Sequence, residues 1–196
     1  LWRSKEMIAI DSESLRLKQA QVSLERDLIP LRQDLARATR EVADIERGSL
    51  GQRTGLIEQD AERCAASLMT FVRGAWSVLE PATPFVHGWV LDCVAEHLEA
   101  VSRGEIQNII INIPPGTMKS LLCDVFWPTW EWARRPTRRF LTASYAQPLA
   151  TRDALKSRRL IQSVWYQERF GKVFSLADDQ NQKTRYDNDK MGFRLA

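Results

Sequence analysis

The sequence is poor in the residues that build most metal and nucleophile sites, with two histidines and three cysteines in 196 residues. Cys64, Cys93 and Cys123 are odd in number and widely spaced, which excludes a disulfide framework and a paired Cys-x-x-Cys metal site. This cysteine usage fits a reducing compartment. Cys93 and His97 stand four apart on an expected helix, but His87 is the one further imidazole, so burial or exposure accounts for them better than a metal does. No Ser/His/Asp or Cys/His nucleophilic arrangement has a local signature. No apolar run approaches the ~20 residues of a membrane span, so no membrane partner is expected. The opening Leu-Trp-Arg-Ser-Lys-Glu lacks the form of a signal peptide. The chain starts at Leu1 rather than Met, as a segment of something longer would.

What is present is a globular composition. With 44% hydrophobic and 27% charged residues, the chain can bury a core of roughly one ordinary domain. The formal net charge of +3 hides a sharp zoning. Residues 1–60 sum to −1, residues 61–133 to −4, residues 134–172 to +8, and the remainder to zero.

The first zone, residues 1–55, reads as a heptad-patterned helical arm. Met7, Ser14, Gln21, Leu28, Leu35 and Val42 fall at a, and Ile10, Leu17, Leu24, Leu31, Ala38 and Ile45 at d. Pro30 lacks a backbone donor and predicts a split into two helices, roughly 4–28 and 31–47, ending at Gly48. Such an arm packs on its own domain as a hairpin, or it associates with a partner helix or itself through the seam. A polar linker, residues 48–55, is expected to follow.

From residue 56 the pattern is globular. Helices are predicted over 58–79, ended by Pro81 and Pro84, and over about 88–102, stopped by Gly104. Asn108–Ile113 is a β-branched run fit for a buried parallel strand. It leads into Pro114-Pro115-Gly116-Thr117-Met118-Lys119-Ser120, then a helix from Lys119 to about Trp127, then a strand over 139–145. Trp127, Trp130 and Trp132 read as packing around a helix-breaking Pro128. Strand, loop, helix, strand is the grammar of an α/β nucleotide-binding domain. In such a loop the backbone amides and helix N-terminus face phosphates, Lys119 reaches the β and γ oxygens, and the Ser120 hydroxyl ligates Mg²⁺. The usual Gly-x4-Gly-Lys-Ser/Thr spacing would put glycines at 113 and 118, where this chain has Ile113 and Met118.

A helix in the basic zone begins at Pro148, with Ala150, Ala154, Ser157, Ile161, Val164 and Trp165 on one face. Arg152, Lys156 and Arg159 form a row on another, beside Arg158. The row suits sequence-independent contact with DNA phosphates, and equally a solvated face or a subunit contact.

From about residue 61 onward the chain resembles the ATPase domain of a tailed-phage terminase large subunit. The resemblance rests on Phe71–Trp76, Glu96–Val101 with Gly104–Ile106, Ile111–Leu122, Val125–Pro128 with Trp130–Trp132, and Ser144-Tyr145. Leu149–Asp153, Arg159–Ser163, Trp165–Gln167 and Gly192–Ala196 extend it. A Pro-Pro-x-x-x-Lys-Ser loop is typical of that family, which often departs from the double-glycine form.

The resemblance implies a P-loop NTPase domain of the RecA-like (ASCE) α/β class over residues 56–196, incomplete and preceded by the arm. It implies ATP and Mg²⁺ as ligands, held by Pro115, Gly116, Thr117, Met118, Lys119 and Ser120, with Lys119 catalytic and Trp89 placed for the adenine. Implied partners are double-stranded DNA, the portal protein, the small terminase subunit and further copies in a ring. The implied location is the host cytoplasm, transiently at the prohead portal. Many relatives carry an arginine after the Pro-Pro pair, where this chain has Gly116. An arginine acting on the γ-phosphate would then come from Arg134, Arg135, Arg138 or Arg139, the last two foremost as trans-acting candidates on a neighbouring subunit.

The family's Walker B carboxylates and nuclease domain are expected beyond the last residue given, because Asp178-Asp179 follows no apolar strand. The segment alone is therefore expected to hydrolyse little ATP. Two rival readings remain: a non-enzymatic coiled-coil interaction module with a vestigial α/β portion, and another P-loop motor of helicase type.

Overall fold

The computed structural model describes residues 12–177 and 184–196 and divides the chain into two compact units, Leu1–Arg53 and Thr54–Ala196. Met7, Ile10 and the pair Asp178-Asp179 lie outside the described residues.

One helix, α1 (Ser12–Ala66), replaces the expected helix–break–helix–linker. Pro30 lies inside it, and Gly48, Gly51 and Gly55 are helical as well. Proline deletes one intrahelical donor, and the flanking turns keep theirs, so local loss does not end the helix. Ion pairs within the helix support it, Arg37 to Glu41 at 3.0 Å and Arg47 to Asp44. The described heptad residues from Leu17 to Ile45 are exposed in this unit, Leu35 at 69% and Ile45 at 71%.

In the second unit the expected helix over 58–79 is interrupted at Ser67. Its side chain accepts from the Thr70 amide and caps α2 (Leu68–Leu79), while the Leu68 amide donates to Glu99 at 2.6 Å. Helix α3 (Trp89–Arg103) ends at Gly104 in the left-handed conformation, as the sequence predicts. Asn108–Ile113 runs without pairing in the sheet of the described residues. It alternates like a strand, with Ile111 and Ile113 against the core and Ile110 fully outward.

The strands among the described residues form a small mixed sheet in the order β1–β3–β2. β1 (Phe140–Leu141) runs parallel to β3 (Phe193–Leu195), which pairs antiparallel with β2 (Arg185–Asp187). The expected strand over 139–145 is thus reduced to two residues. The turn between β2 and β3 is locked from within: Asn188 Oδ1 accepts from the Lys190 and Gly192 amides, and its Nδ2 donates to the Pro136 carbonyl at 2.8 Å. A Cβ on Gly192 would sit 2.0 Å from that carbonyl, so no side chain fits there. The second unit is mostly helical, with this sheet at its C-terminal end.

The helix that opens at Lys119 continues to Arg134, through a π-helical segment (Leu121–Phe126) and then α4 (Trp127–Arg134). Pro128 does not break it. A proline ring clashes with the carbonyl four residues back, and one wide turn just upstream moves that carbonyl away. The carbonyl concerned, that of Asp124, accepts instead from the Ser157 hydroxyl at 3.3 Å. Around this helix the core is aromatic and its polar tips are satisfied. Trp130 Nε1 donates to the Cys64 carbonyl at 2.9 Å, Trp127 Nε1 to Ser102 Oγ at 2.8 Å and Tyr166 OH to the Thr129 carbonyl at 2.8 Å. α5 (Gln147–Gln162) and α6 (Val164–Phe170) close the core. Val164, expected on the buried face, is exposed because Ser163 ends α5 and caps α6, which changes the helix phase.

Candidate functional site

The loop 114–120 turns tightly. The Thr117 hydroxyl donates to the Pro114 carbonyl at 2.7 Å, and Gly116 sits at φ 85°. Met118 is also left-handed, at φ 60°, a conformation that a non-glycine residue adopts at a steric cost of about 1–2 kcal/mol. The double-glycine motif would place a glycine at that position, so the backbone keeps the glycine-like turn and methionine carries the strain. The Leu122 amide bonds the Met118 carbonyl at 2.8 Å and seats the loop on the helix. The strained turn carries Lys119 and Ser120, both exposed, to the first turn of that helix. Among the described residues no carboxylate pairs with Lys119.

These residues wall a hollow of about 570 Å³, lined by Ile113–Leu121 together with Trp76 and Glu80 of α2 and its C-cap. Glu80 is the one carboxylate in this lining among the described residues. Its Oε1 accepts from Lys156 Nζ at 2.6 Å. A second hollow of about 360 Å³ adjoins the first through Trp76, Gly116, Thr117 and Met118 and is otherwise walled by Thr83–Pro84, Val86–Gly88 and Val90–Leu91. Its walls are mostly apolar. The Trp76 indole borders both, held by Nε1 donating to the Thr83 carbonyl at 2.6 Å and by a ring stacked 6.5 Å from Phe126.

Trp89 lines neither hollow and is 78% exposed. It occupies the first position of α3, and helical rotation turns Val90 and Leu91 inward in its place. The cues for Trp76 were weaker: it sits mid-helix in an ordinary apolar pattern, and only the fold brings it to the loop.

The arginines expected to reach a neighbouring phosphate are largely engaged. Glu131, 2% exposed, lies 3.7 Å from Arg134, 3.5 Å from Arg135 and 3.6 Å from Arg138. Arg135 also donates to the Ser102 carbonyl, and Arg134 lies over the Trp130 ring at 4.2 Å. Arg139 stands 5.5 Å over the Phe193 ring. A buried carboxylate gathering three guanidiniums is a structural hub, a role that the run of basic residues did not disclose.

In the Arg152–Lys156–Arg159 row, Arg152 pairs with Asp153 at 2.8 Å and Lys156 with Glu80, while Arg159 has no ion pair among the described residues. All three border a hollow of about 540 Å³ on α5. His97 Nδ1 lies 2.7 Å from the Cys93 carbonyl, within its own helix, and no group of three or more metal-ligating side chains exists among the described residues. No helix among them is long and apolar enough to cross a membrane. Comparison with known proteins finds no matching family model, no matching curated protein and no matching solved structure.

Proposed function

We propose that the chain is the ATP-binding part of a viral DNA-packaging motor of the terminase large-subunit type, built on a P-loop NTPase domain. The observation that carries this reading is the strained Gly116–Met118 turn, which brings Lys119 and Ser120 into the wall of one hollow at a helix start.

In this reading the amides of Gly116 to Ser120 hold phosphate oxygens, Lys119 neutralises the β and γ charge, and the Ser120 hydroxyl offers an oxygen ligand for Mg²⁺. The cation, bound with the nucleotide, supplies further charge neutralisation across the same oxygens. The base occupies the adjoining apolar hollow between Pro84 and Leu91, beside the Trp76 edge. Glu80 does not serve as the water-positioning carboxylate, because Lys156 already donates to it. The chain by itself therefore binds nucleotide and turns it over slowly or not at all. The complete protein would couple hydrolysis to translocation of double-stranded DNA with the portal protein, the small subunit and further motor copies in the host cytoplasm, and would carry a nuclease domain. Arg159 and its row are the DNA-facing surface in this scheme.

The test is titration of the chain with a non-hydrolysable ATP analogue and Mg²⁺, read by calorimetry or by the change in total tryptophan fluorescence. Lys119→Ala should weaken binding tenfold or more, about 1.4 kcal/mol. An unchanged affinity would overturn the proposal. The rival reading as an interaction module draws on the exposed heptad face of α1, and absence of any nucleotide binding would favour it.

A further inference from the structure

Helix α1 presents an apolar stripe that no other described residue of its unit covers. Leu17, Leu24, Leu28, Leu31, Leu35, Val42 and Ile45 are all exposed and fall at a and d positions. They span about four heptads, or ~42 Å of helix at 1.5 Å per residue. The positions around the stripe say what kind of surface covers it. Pro30 falls at c and Ile29 at b, both on the outer side, so the proline stays clear of the seam. Beyond Ile45 the seam positions become Ser49 and Gln52 and the stripe ends, close to the boundary of the unit at Arg53.

We infer that α1 pairs with α1 of a second copy of this chain as a parallel, in-register, two-stranded coiled coil over residues 17–45. Charge selects the orientation. Of the g positions in this span, Ala20, Asp27, Asp34 and Glu41, three are acidic, and in an antiparallel pair g faces g, so the registers that overlap the whole stripe set acid against acid. In a parallel pair g faces the e position five residues on in the partner helix, which places Asp27 opposite Arg32 and Asp34 opposite Thr39. Glu41 then faces Glu46, and this one like-charge contact is moderated because Arg37 of its own helix binds Glu41 at 3.0 Å.

The polar core residue selects the register. Gln21 occupies an a position among leucines. In a parallel, in-register pair the two Gln21 amides meet and hydrogen-bond each other, whereas an antiparallel pair sets each against an apolar d residue. A heterologous partner helix would not need this self-complementary arrangement. The inference does not depend on nucleotide binding, since it uses α1 alone.

The experiment is light scattering of the full chain on size exclusion at micromolar loading. The expected mass is twice the 22.5 kDa of the chain. Leu28→Glu with Leu35→Glu should return it to the monomer mass, with tryptophan-detected melting of residues 54–196 unchanged as proof of folding. A Gln21→Cys variant on a Cys93→Ser background should form a disulfide-linked dimer under mild oxidation. A monomer mass for the unmodified chain would overturn the pairing, as would a dimer that survives the double glutamate substitution. A dimer that fails to cross-link at position 21 would overturn the parallel register.

Discussion

Lys156 Nζ lies 2.6 Å from Glu80 Oε1, and this ion pair joins the wall of the hollow beside the loop 114–120 to the cationic row of α5. If the hollow takes a nucleotide as proposed, the Glu80 charge opposes the phosphates, and Lys156 from the neighbouring surface moderates it. Glu80→Gln should tighten binding of an ATP analogue severalfold and at the same time free Lys156, raising DNA affinity at low salt. Parallel titrations with nucleotide and with duplex DNA check both. A weaker nucleotide affinity would show that Glu80 supports the loop rather than opposing its ligand.

Met118 bears left-handed strain at the centre of the loop. A β-branched side chain tolerates that conformation far less than an unbranched one. Met118→Ile keeps the volume and the apolar character, and should destabilise the fold by about 1–2 kcal/mol beyond ordinary repacking while abolishing nucleotide binding. Met118→Gly should retain binding. Denaturant melts and analogue titration of the two variants separate backbone strain from packing.

Among the described residues, Glu131 is the one buried anion paired with Arg134, Arg135 and Arg138. Glu131→Gln leaves three guanidiniums close together with their carboxylate gone. Loss of one partner from a buried ionic cluster typically destabilises by about 3 kcal/mol, and urea unfolding should read a loss of that order. High salt should partly restore stability by screening the repulsion between the arginines.

The three thiols should separate by reactivity. Burial pushes Cys64 up to about 11 and Cys123 up to about 11, because neither site solvates a thiolate, while Cys93 is exposed. At pH 8 a thiol reagent should modify Cys93 alone in the folded chain, with Cys64 and Cys123 labelled after denaturation. Raising the pH increases the thiolate fraction of the two only as it nears 11, so labelling of the fully buried Cys64 at pH 8 in native conditions would mean that the core opens.

Helix α3, its Gly104 stop, the Pro148 helix start and the loop 114–120 were legible because each is written in adjacent residues. The strands were not. Asn108–Ile113 has strand composition and strand alternation, yet pairing depends on what lies beside it, and the described sheet is assembled from Phe140, Tyr186 and Phe193 with their neighbours. The lock that makes this possible is distant in sequence: Asn188 reaching back 52 residues to Pro136. Both helix-internal prolines were misleading in the same direction. At Pro30 the surrounding turns suffice, and at Pro128 a hydroxyl from α5 replaces the missing donor. Within the site, Lys119 and Ser120 were readable from their motif, whereas Trp76 and Glu80 are brought to it only by tertiary packing.

The wide turn ahead of Pro128 places one more residue per turn than an α-helix does, so it advances the phase of everything downstream by about 100°. α4 is buried on every side from Pro128 to Ala133, so that phase decides which neighbours Trp130, Glu131 and Trp132 each meet rather than whether they are buried. The loop at the start of this helix and the arginine hub at its end are thus indexed to each other by a single supernumerary residue. Deleting one residue between Leu121 and Phe126 would leave both ends chemically intact and turn one away from its neighbours.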